Sequence, residues 1–210
     1  MALAHDATRV LILGDSHVFW AARFVRSAGS SWPGVSMDFA VDGHGCRTPS
    51  FIGIRGGKLT TMRDDDLWER ISILNPGLVI LHLGGNDVDS ISSSSPGVGA
   101  QLVDFARELL EFGVGHVMIC HLVKRAKWRQ FSPEEGATRV AAVNAFIQEE
   151  CMGNNNISVW KHKGLWNPRS RIFMRDGVHF NDLGNFKLYR SFRGALLWAA
   201  SHRGTGQGGR

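Results

Sequence analysis

The stretch VLILGDSHVFW, residues 10–20, decides how the chain folds. Its first four residues are branched aliphatic side chains, which is typical of a strand buried on both faces. The run ends at Gly14-Asp15-Ser16, and the residues that follow have the periodicity of an amphipathic helix. The sequence therefore places the small nucleophilic side chain of Ser16 at a strand-to-helix junction.

Similar apolar runs recur along the chain and alternate with segments of helical periodicity. The predicted strands are 9–13, 35–41, 78–83, 116–122 and 157–160, and the predicted helices are 17–28, 64–74, 98–112, 133–151 and 182–200. Three of the runs are apolar nearly throughout, as expected for strands of a parallel sheet with helices on both sides. The serine-rich segment 87–97, broken by Pro96, predicts a loop. The sequence thus predicts an α/β protein with three layers, α/β/α, around a five-stranded parallel sheet.

Length and composition favour a single domain. With 210 residues and 43% hydrophobic residues, the chain can form one sizeable core, which we assign to residues 1–200. The glycine-rich segment 201–210 lacks apolar residues and predicts a disordered tail. No apolar stretch is typical of a signal peptide or a membrane span. The cysteines, Cys46, Cys120 and Cys151, are odd in number and widely spaced. This pattern predicts an intracellular, cytoplasmic protein.

The formal net charge of +5 leaves two interpretations open. The basic residues cluster in two segments: Lys124, Arg125, Lys127 and Arg129, and then Arg169, Arg171 and Arg175. They form either a solvated basic face or a surface that binds nucleic acid or an anionic membrane. None of the histidines has the helical spacing of a metal site, so the sequence predicts no metal ion.

Four polar stretches follow the predicted strands or end the long connection after the last strand. They are GDS at 14–16, DGHG at 42–45, GGND at 84–87 and DGVH at 176–179. Because parallel sheets bind ligands outside the carboxyl ends of their strands, we expect these stretches to meet at one edge. The sequence therefore predicts one site built from all four.

The residue types in these stretches suit nucleophilic catalysis. A serine hydroxyl such as that of Ser16 needs a base to take its proton, and His179 with Asp176 three residues earlier can supply an oriented imidazole. The N–H of Ser16, the N–H of a glycine at 43 or 45, and the amide of Asn86 are candidate donors to an oxyanion. The competing interpretation of Ser16 is a simple helix N-cap.

The four stretches resemble the four motif blocks of the SGNH (GDSL-type) hydrolases over about residues 8–200. That resemblance implies a flavodoxin-like α/β/α fold without a metal or cofactor. It implies Ser16 as nucleophile and oxyanion donor, Gly45 or, as a second match, Gly43 as a further donor, Asn86 as the third donor, and Asp176 with His179 as the rest of the triad. The sequence departs from the family pattern at two points: His17 replaces the usual leucine, and DGHGCRT has no close match.

A narrower resemblance concerns VLILGDSHVFWAAR and FMRDGVHFNDLGNFKLYRSFRGAL, which resemble SGNH domains of animal transposable elements, including retrotransposons. The function that these resemblances imply is a serine esterase acting on carboxylic esters of short acyl groups or lipids. The alternative is a basic nucleic-acid or ribonucleoprotein interaction module in which the hydrolase site is silent or secondary.

Overall fold

The computed structural model describes residues 9–28, 31–32, 34–36, 48–165, 167 and 171–203. Strands and helices alternate along these residues, except that two helices follow the third strand. The strands are β1 Val10–Gly14, β2 Ser50–Gly53, β3 Leu78–His82, β4 His116–Cys120 and β5 Ile157–Trp160. The helices are α1 Ser16–Ser27, α2 Asp65–Leu74, α3 Gly85–Val88, α4 Ser95–Glu111, α5 Pro133–Glu150 and α6 Asp182–Arg203.

The five strands form one sheet in the order β2-β1-β3-β4-β5, and every neighbouring pair is parallel. β1 lies between β2 and β3, and all five of its residues are buried. This position explains the uniformly apolar VLIL run, since both faces of a central parallel strand are covered by helices. The predicted parallel five-stranded sheet is confirmed.

Alternate residues of β1 face two separate cores. Leu11 and Leu13 belong to the core that α2, α4 and α5 cover, whereas Val10 and Ile12 belong to the core beneath α1 and α6. The side-chain period of two along a strand produces this division. The helices therefore form a layer on each face of the sheet, and the predicted three-layer α/β/α architecture is confirmed.

The second strand is the main correction to the predicted elements. The strand predicted at 35–41 is wrong for Val35 and Ser36, which are in no strand, and residues 37–41 lie outside the described residues. The strand that pairs with β1 is instead Ser50–Gly53, a short edge strand that is only partly buried. Residues 42–45 therefore precede β2, and the first residues after β2 are Ile54-Arg55-Gly56-Gly57.

Local capping chemistry sets several helix boundaries. Ser94 caps α4, and Pro96 lies in the first turn of that helix, where the missing N–H of a proline costs no hydrogen bond within the helix. The helix therefore begins inside segment 87–97, which the sequence predicts to be a loop. Ser132 and Glu135 form a capping box at the start of α5. α6 continues to Arg203, three residues into the predicted tail, and residues 204–210 lie outside the described residues. No helix of the described residues is long and apolar enough to span a membrane.

Candidate active site

Ser16 is the first residue of α1, directly after the turn that ends β1. The helix cap is Asp15, whose carboxylate accepts a hydrogen bond from the N–H of His17 at 2.9 Å. The interpretation of Ser16 as the N-cap is therefore wrong, because Asp15 fills that role. The hydroxyl of Ser16 is left to contact a different part of the chain.

That contact is with His179, which brings the three predicted triad residues together. The Nε2 of His179 lies 3.1 Å from the Oγ of Ser16, and its Nδ1 lies 2.7 Å from Oδ2 of Asp176. Because a carboxylate only accepts, the Nδ1 of His179 carries the proton and its Nε2 faces the serine as an acceptor. The arrangement can take a proton from the Ser16 hydroxyl.

Asp176 is held by its own loop, which we define as residues 174–180. Its Oδ1 accepts hydrogen bonds from the N–H groups of Val178 and His179, each at 2.9 Å. Burial is the largest single influence and raises the pKa of Asp176, but the hydrogen bonds from His179 and Val178 together outweigh it and lower that pKa to about 2. Asp176 is therefore ionised at neutral pH and can orient His179.

Asn86 lies on the short helix α3, after β3. Its Nδ2 donates to the carbonyl of Gly57 at 2.9 Å, and its Oδ1 accepts from the guanidinium of Arg125 at 2.9 Å. The two contacts fix which end of the amide is the donor, so its second N–H is oriented as well. Asn86 is half-buried beside a cavity of about 500 Å³. We call this the Asn86 cavity; its lining residues are Gly56, Lys58, Asn86, Asp89, Ser90, Ile91, Ser92, Arg129 and Gln130.

Arg125 belongs to the interior, contrary to its placement in a solvated basic face. Its side chain and that of Asp89 are each only 3% exposed, and they form an ion pair at 3.4 Å. Burial lowers the pKa of Arg125, while the negative charges of Asp15 and Asp89 oppose that shift. The predicted contact with nucleic acid or an anionic membrane therefore loses Arg125. That partner otherwise stays a prediction.

The glycine predicted to donate to an oxyanion is not one of the residues after β2. Gly45 and its alternative Gly43 lie outside the described residues, and both precede β2 in the chain. The glycine that follows β2 and lines the Asn86 cavity is Gly56, with a left-handed φ of 70°. Gly56 is not among the predicted donors because the sequence pattern places the second strand at 35–41.

The structure also brings together buried histidines that the sequence did not connect. His17, His82 and His162 are each at most 3% exposed and are linked by ring-nitrogen contacts. Ligand atoms of His82, Cys120 and His162 lie within 4.8 Å of one another, as do those of Asp15, His17 and His82. Imidazole and thiolate suit Zn²⁺, but hydrogen bonds already account for the contacts between the rings. The absence of a bound metal stays a prediction.

Solved structures with the same architecture identify the fold. A GDSL-like lipase from Bacteroides thetaiotaomicron is 17% identical with a TM-score of 0.65, and the match covers 94% of this chain and 93% of that one. A carbohydrate esterase family 3 protein from Talaromyces cellulolyticus is 17% identical with a TM-score of 0.63, covering 93% and 99%. This is the SGNH hydrolase fold. An acetylxylan esterase from Geobacillus stearothermophilus is similar as well, at 17% identity and a TM-score of 0.56, and the match covers 88% of this chain and 92% of that one.

No protein-family model and no curated protein sequence matches the chain. At these identities the structural matches establish the SGNH fold, and activity has to be argued from the site itself.

Proposed function

We propose that the protein is a serine esterase that hydrolyses carboxylic esters. The observation that carries the proposal is the continuous contact from Ser16 through His179 to Asp176, at 3.1 and 2.7 Å. A nucleophile, a base and an orienting carboxylate in hydrogen-bond contact are what activation of a serine requires. The SGNH fold, shared with a lipase and with esterases, is consistent with this chemistry.

In the proposed reaction the Oγ of Ser16 attacks the acyl carbon while its proton passes to the Nε2 of His179. Asp176 stabilises the imidazolium that forms. His179 then returns the proton to the leaving alcohol, and an acyl group remains on Ser16. Water, deprotonated by the same histidine, attacks the acyl group and regenerates the serine.

Three donors would hold the oxyanion of the tetrahedral intermediate. The N–H of Ser16 lies in the first turn of α1, where backbone N–H groups have no acceptor within the helix. The amide of Asn86 is oriented by Gly57 and Arg125. For the glycine donor we propose Gly56, in the role that the sequence assigned to Gly45. Asn86→Ala should lower kcat by about a hundred- to a thousandfold.

We place the acyl group of the substrate in the Asn86 cavity because two of the proposed oxyanion donors, Asn86 and Gly56, line it. This location favours short or polar esters over long acyl chains. Charged or hydrogen-bonding side chains, among them Lys58, Arg129 and Gln130, make up most of its lining. A long acyl chain would be expected to lie against a predominantly apolar surface instead. Among p-nitrophenyl esters from acetate to palmitate, kcat/KM should therefore decline with acyl length. A preference for palmitate would contradict this choice of substrate.

The decisive experiment compares Ser16→Ala with the wild-type protein in hydrolysis of p-nitrophenyl acetate. Ser27→Ala is the matched control, because Ser27 lies at the other end of α1 and its hydroxyl donates to carbonyls of that helix, those of Arg23 and Phe24. We expect loss of turnover in Ser16→Ala alone, with unchanged circular dichroism. A serine-directed phosphonate should label Ser16, as read by peptide mass analysis. Full activity of Ser16→Ala would refute the proposal.

A further inference from the structure

His17 contacts both residues that flank His179 in the chain. Its Nε2 lies 2.9 Å from the carbonyl oxygen of Val178, and its ring stacks on that of Phe180 with centroids 4.7 Å apart. A carbonyl can only accept, so the Nε2 of His17 carries the proton and donates. The residue that follows the proposed nucleophile therefore holds the backbone on one side of the proposed base and the side chain on the other.

The other nitrogen of His17 begins a chain of buried imidazoles. Its Nδ1 lies 3.4 Å from the Nε2 of His82, and the Nδ1 of His82 lies 3.0 Å from the Nε2 of His162. Burial lowers the pKa of all three histidines, to about 3 for His162, so each ring is neutral at pH 7. A neutral ring has one donor and one acceptor, which means that each ring fixes the tautomer of the next.

The far end of the chain agrees with this polarity. The Nδ1 of His162 lies 2.8 Å from the Oγ of Ser191, and that oxygen accepts a hydrogen bond from the indole N–H of Trp160 at 3.0 Å. An indole can only donate, so Ser191 is free to donate its own proton to His162. Starting from Val178, every Nε2 carries a proton and every Nδ1 accepts, and the series ends at a donor without conflict.

We propose that His17 is a positioning residue for His179, and that the series His82, His162 and Ser191 keeps the donor of His17 aimed at Val178. This inference rests on the proposed function, since it assigns a role relative to the catalytic base. His17 is only 3% exposed and acts through the 174–180 loop.

A leucine at position 17 would keep only one of the two contacts that His17 makes with the residues beside His179. Its side chain could still pack against the ring of Phe180, but the carbonyl of Val178 would lose its donor. The 174–180 loop would keep the hydrogen bonds that Gly177 accepts from the N–H groups of Ala126 and Lys127. The peptide directly before His179 would lose its donor, however, and the Nε2 of His179 would be held less firmly opposite Ser16. A displacement of about 1 Å at a catalytic group can reduce turnover by about a hundredfold.

The kinetic test uses His17→Leu, His17→Gln and the matched control His116→Leu. The Nε2 of His116 also forms a hydrogen bond, with the Oγ of Ser158 at 2.9 Å, but His116 begins β4 and so lies at the end of the sheet opposite to Ser16. With p-nitrophenyl acetate, His17→Leu should lower kcat by about a hundredfold and leave KM unchanged. The glutamine amide can place an N–H near the position of Nε2, so His17→Gln should recover most of the loss. His116→Leu should keep the wild-type kcat.

A second test reads the imidazoles directly by ¹⁵N NMR of the histidine side chains. We expect neutral Nε2–H tautomers for His17, His82 and His162, and altered ring signals of His179 in His17→Leu. Several results would overturn the inference: unchanged kcat in His17→Leu, equal losses in the leucine and glutamine variants, a proton on the Nδ1 of His17, or a stoichiometric metal ion held by His82 and His162. If the wild-type protein hydrolyses no ester, the proposed function fails, and unchanged His179 signals in His17→Leu would then refute the positioning role separately.

Discussion

Replacing Arg125 by methionine tests whether the buried ion pair supports both the fold and Asn86. Methionine has a similar length but neither charge nor donor. The change leaves the carboxylate of Asp89 buried without its guanidinium partner, and breaking such a pair costs about 3–5 kcal/mol. Asp89 still accepts hydrogen bonds from the N–H groups of Arg129 and Gln130 at 3.1 and 3.3 Å. We therefore expect the free energy of unfolding to fall by about 3 kcal/mol, the lower end of that range.

The measurement is the free energy of unfolding from urea titrations followed by circular dichroism. Arg129→Met is the matched control, since it removes the same side chain at an exposed position four residues away and should cost at most about 0.5 kcal/mol. In the double variant with Asp89→Asn, the loss should be smaller than the sum of the single losses by about 0.5–3 kcal/mol. A loss below about 0.5 kcal/mol in Arg125→Met would show that the ion pair does not form in solution.

The same variant also tests how Asn86 is oriented. Arg125 donates to the Oδ1 of Asn86, so its removal lets the amide rotate and place an oxygen where the proposed oxyanion needs a donor. Protein that remains folded should therefore lose turnover toward the level of Asn86→Ala, about a hundredfold. Wild-type kcat in folded Arg125→Met would mean that Gly57 alone is enough to orient the amide.

Three further predictions concern the interior around the site. Burial lowers the pKa of His82 and lowers that of His162 to about 3, so below about pH 6.5 the unfolded chain binds more protons than the folded protein. The free energy of unfolding should therefore decrease as the pH falls below about 6.5. Constant urea midpoints between about pH 7 and pH 5 would contradict this prediction. Gly14→Ala should yield no folded protein by circular dichroism, because the new Cβ would lie 2.0 Å from the backbone oxygen of His82; a native spectrum would refute the close approach. Cys120 is buried, and burial raises the pKa of its thiol, so iodoacetamide should modify it only when the protein is unfolded in urea. Peptide mass mapping measures this modification, and rapid labelling of the native protein would contradict the burial of Cys120.

Four of the five strands could be predicted: β1, β3 and β4 are central in the sheet, and β5, although it lies at the edge, consists of the mostly apolar run ISVW. β1 and β3 are buried along their whole length, so every residue carries the apolar signal of a strand with helices on both faces. β2 is also a four-residue edge strand, but its sequence SFIG begins with serine and ends with glycine, so it lacks the apolar run that marks β5. The segment 35–41 has more apolar side chains, and the apolar pattern therefore predicts the strand there.

The proximity of Ser16 and His179 could be predicted because the topology of a parallel sheet brings the carboxyl ends of its strands to one edge. The spacing of Asp176 and His179 likewise carried the geometry of a single turn. The proposed role of Gly56 could not be predicted, because it depends on the position of β2. The predicted position of a motif in the fold is therefore correct only when the strand before that motif has been located correctly.

The burial of charged and titratable side chains could not be predicted from the sequence, for a different reason. Arg125 resembles its exposed neighbours in a basic segment, and its burial depends on Asp89, 36 residues earlier in the chain. His17 and His82 are 65 residues apart and meet only after β1 and β3 have paired. A periodic pattern reports which face of an element is apolar, but it carries no information about which distant partner neutralises a buried polar group.

The two halves of the candidate triad come from opposite ends of the chain, and helix packing sets their alignment. Ser16 begins α1, and His179 lies three residues before the start of α6 at Asp182. These two helices share one core, in which Val18 of α1 and Phe192 of α6 are fully buried. A rigid core transmits a small shift of either helix to the residues at its beginning. His17 adds a polar link at that junction through Val178, directly beside His179, whereas the hydrogen bonds from Ala126 and Lys127 hold the loop two residues away at Gly177.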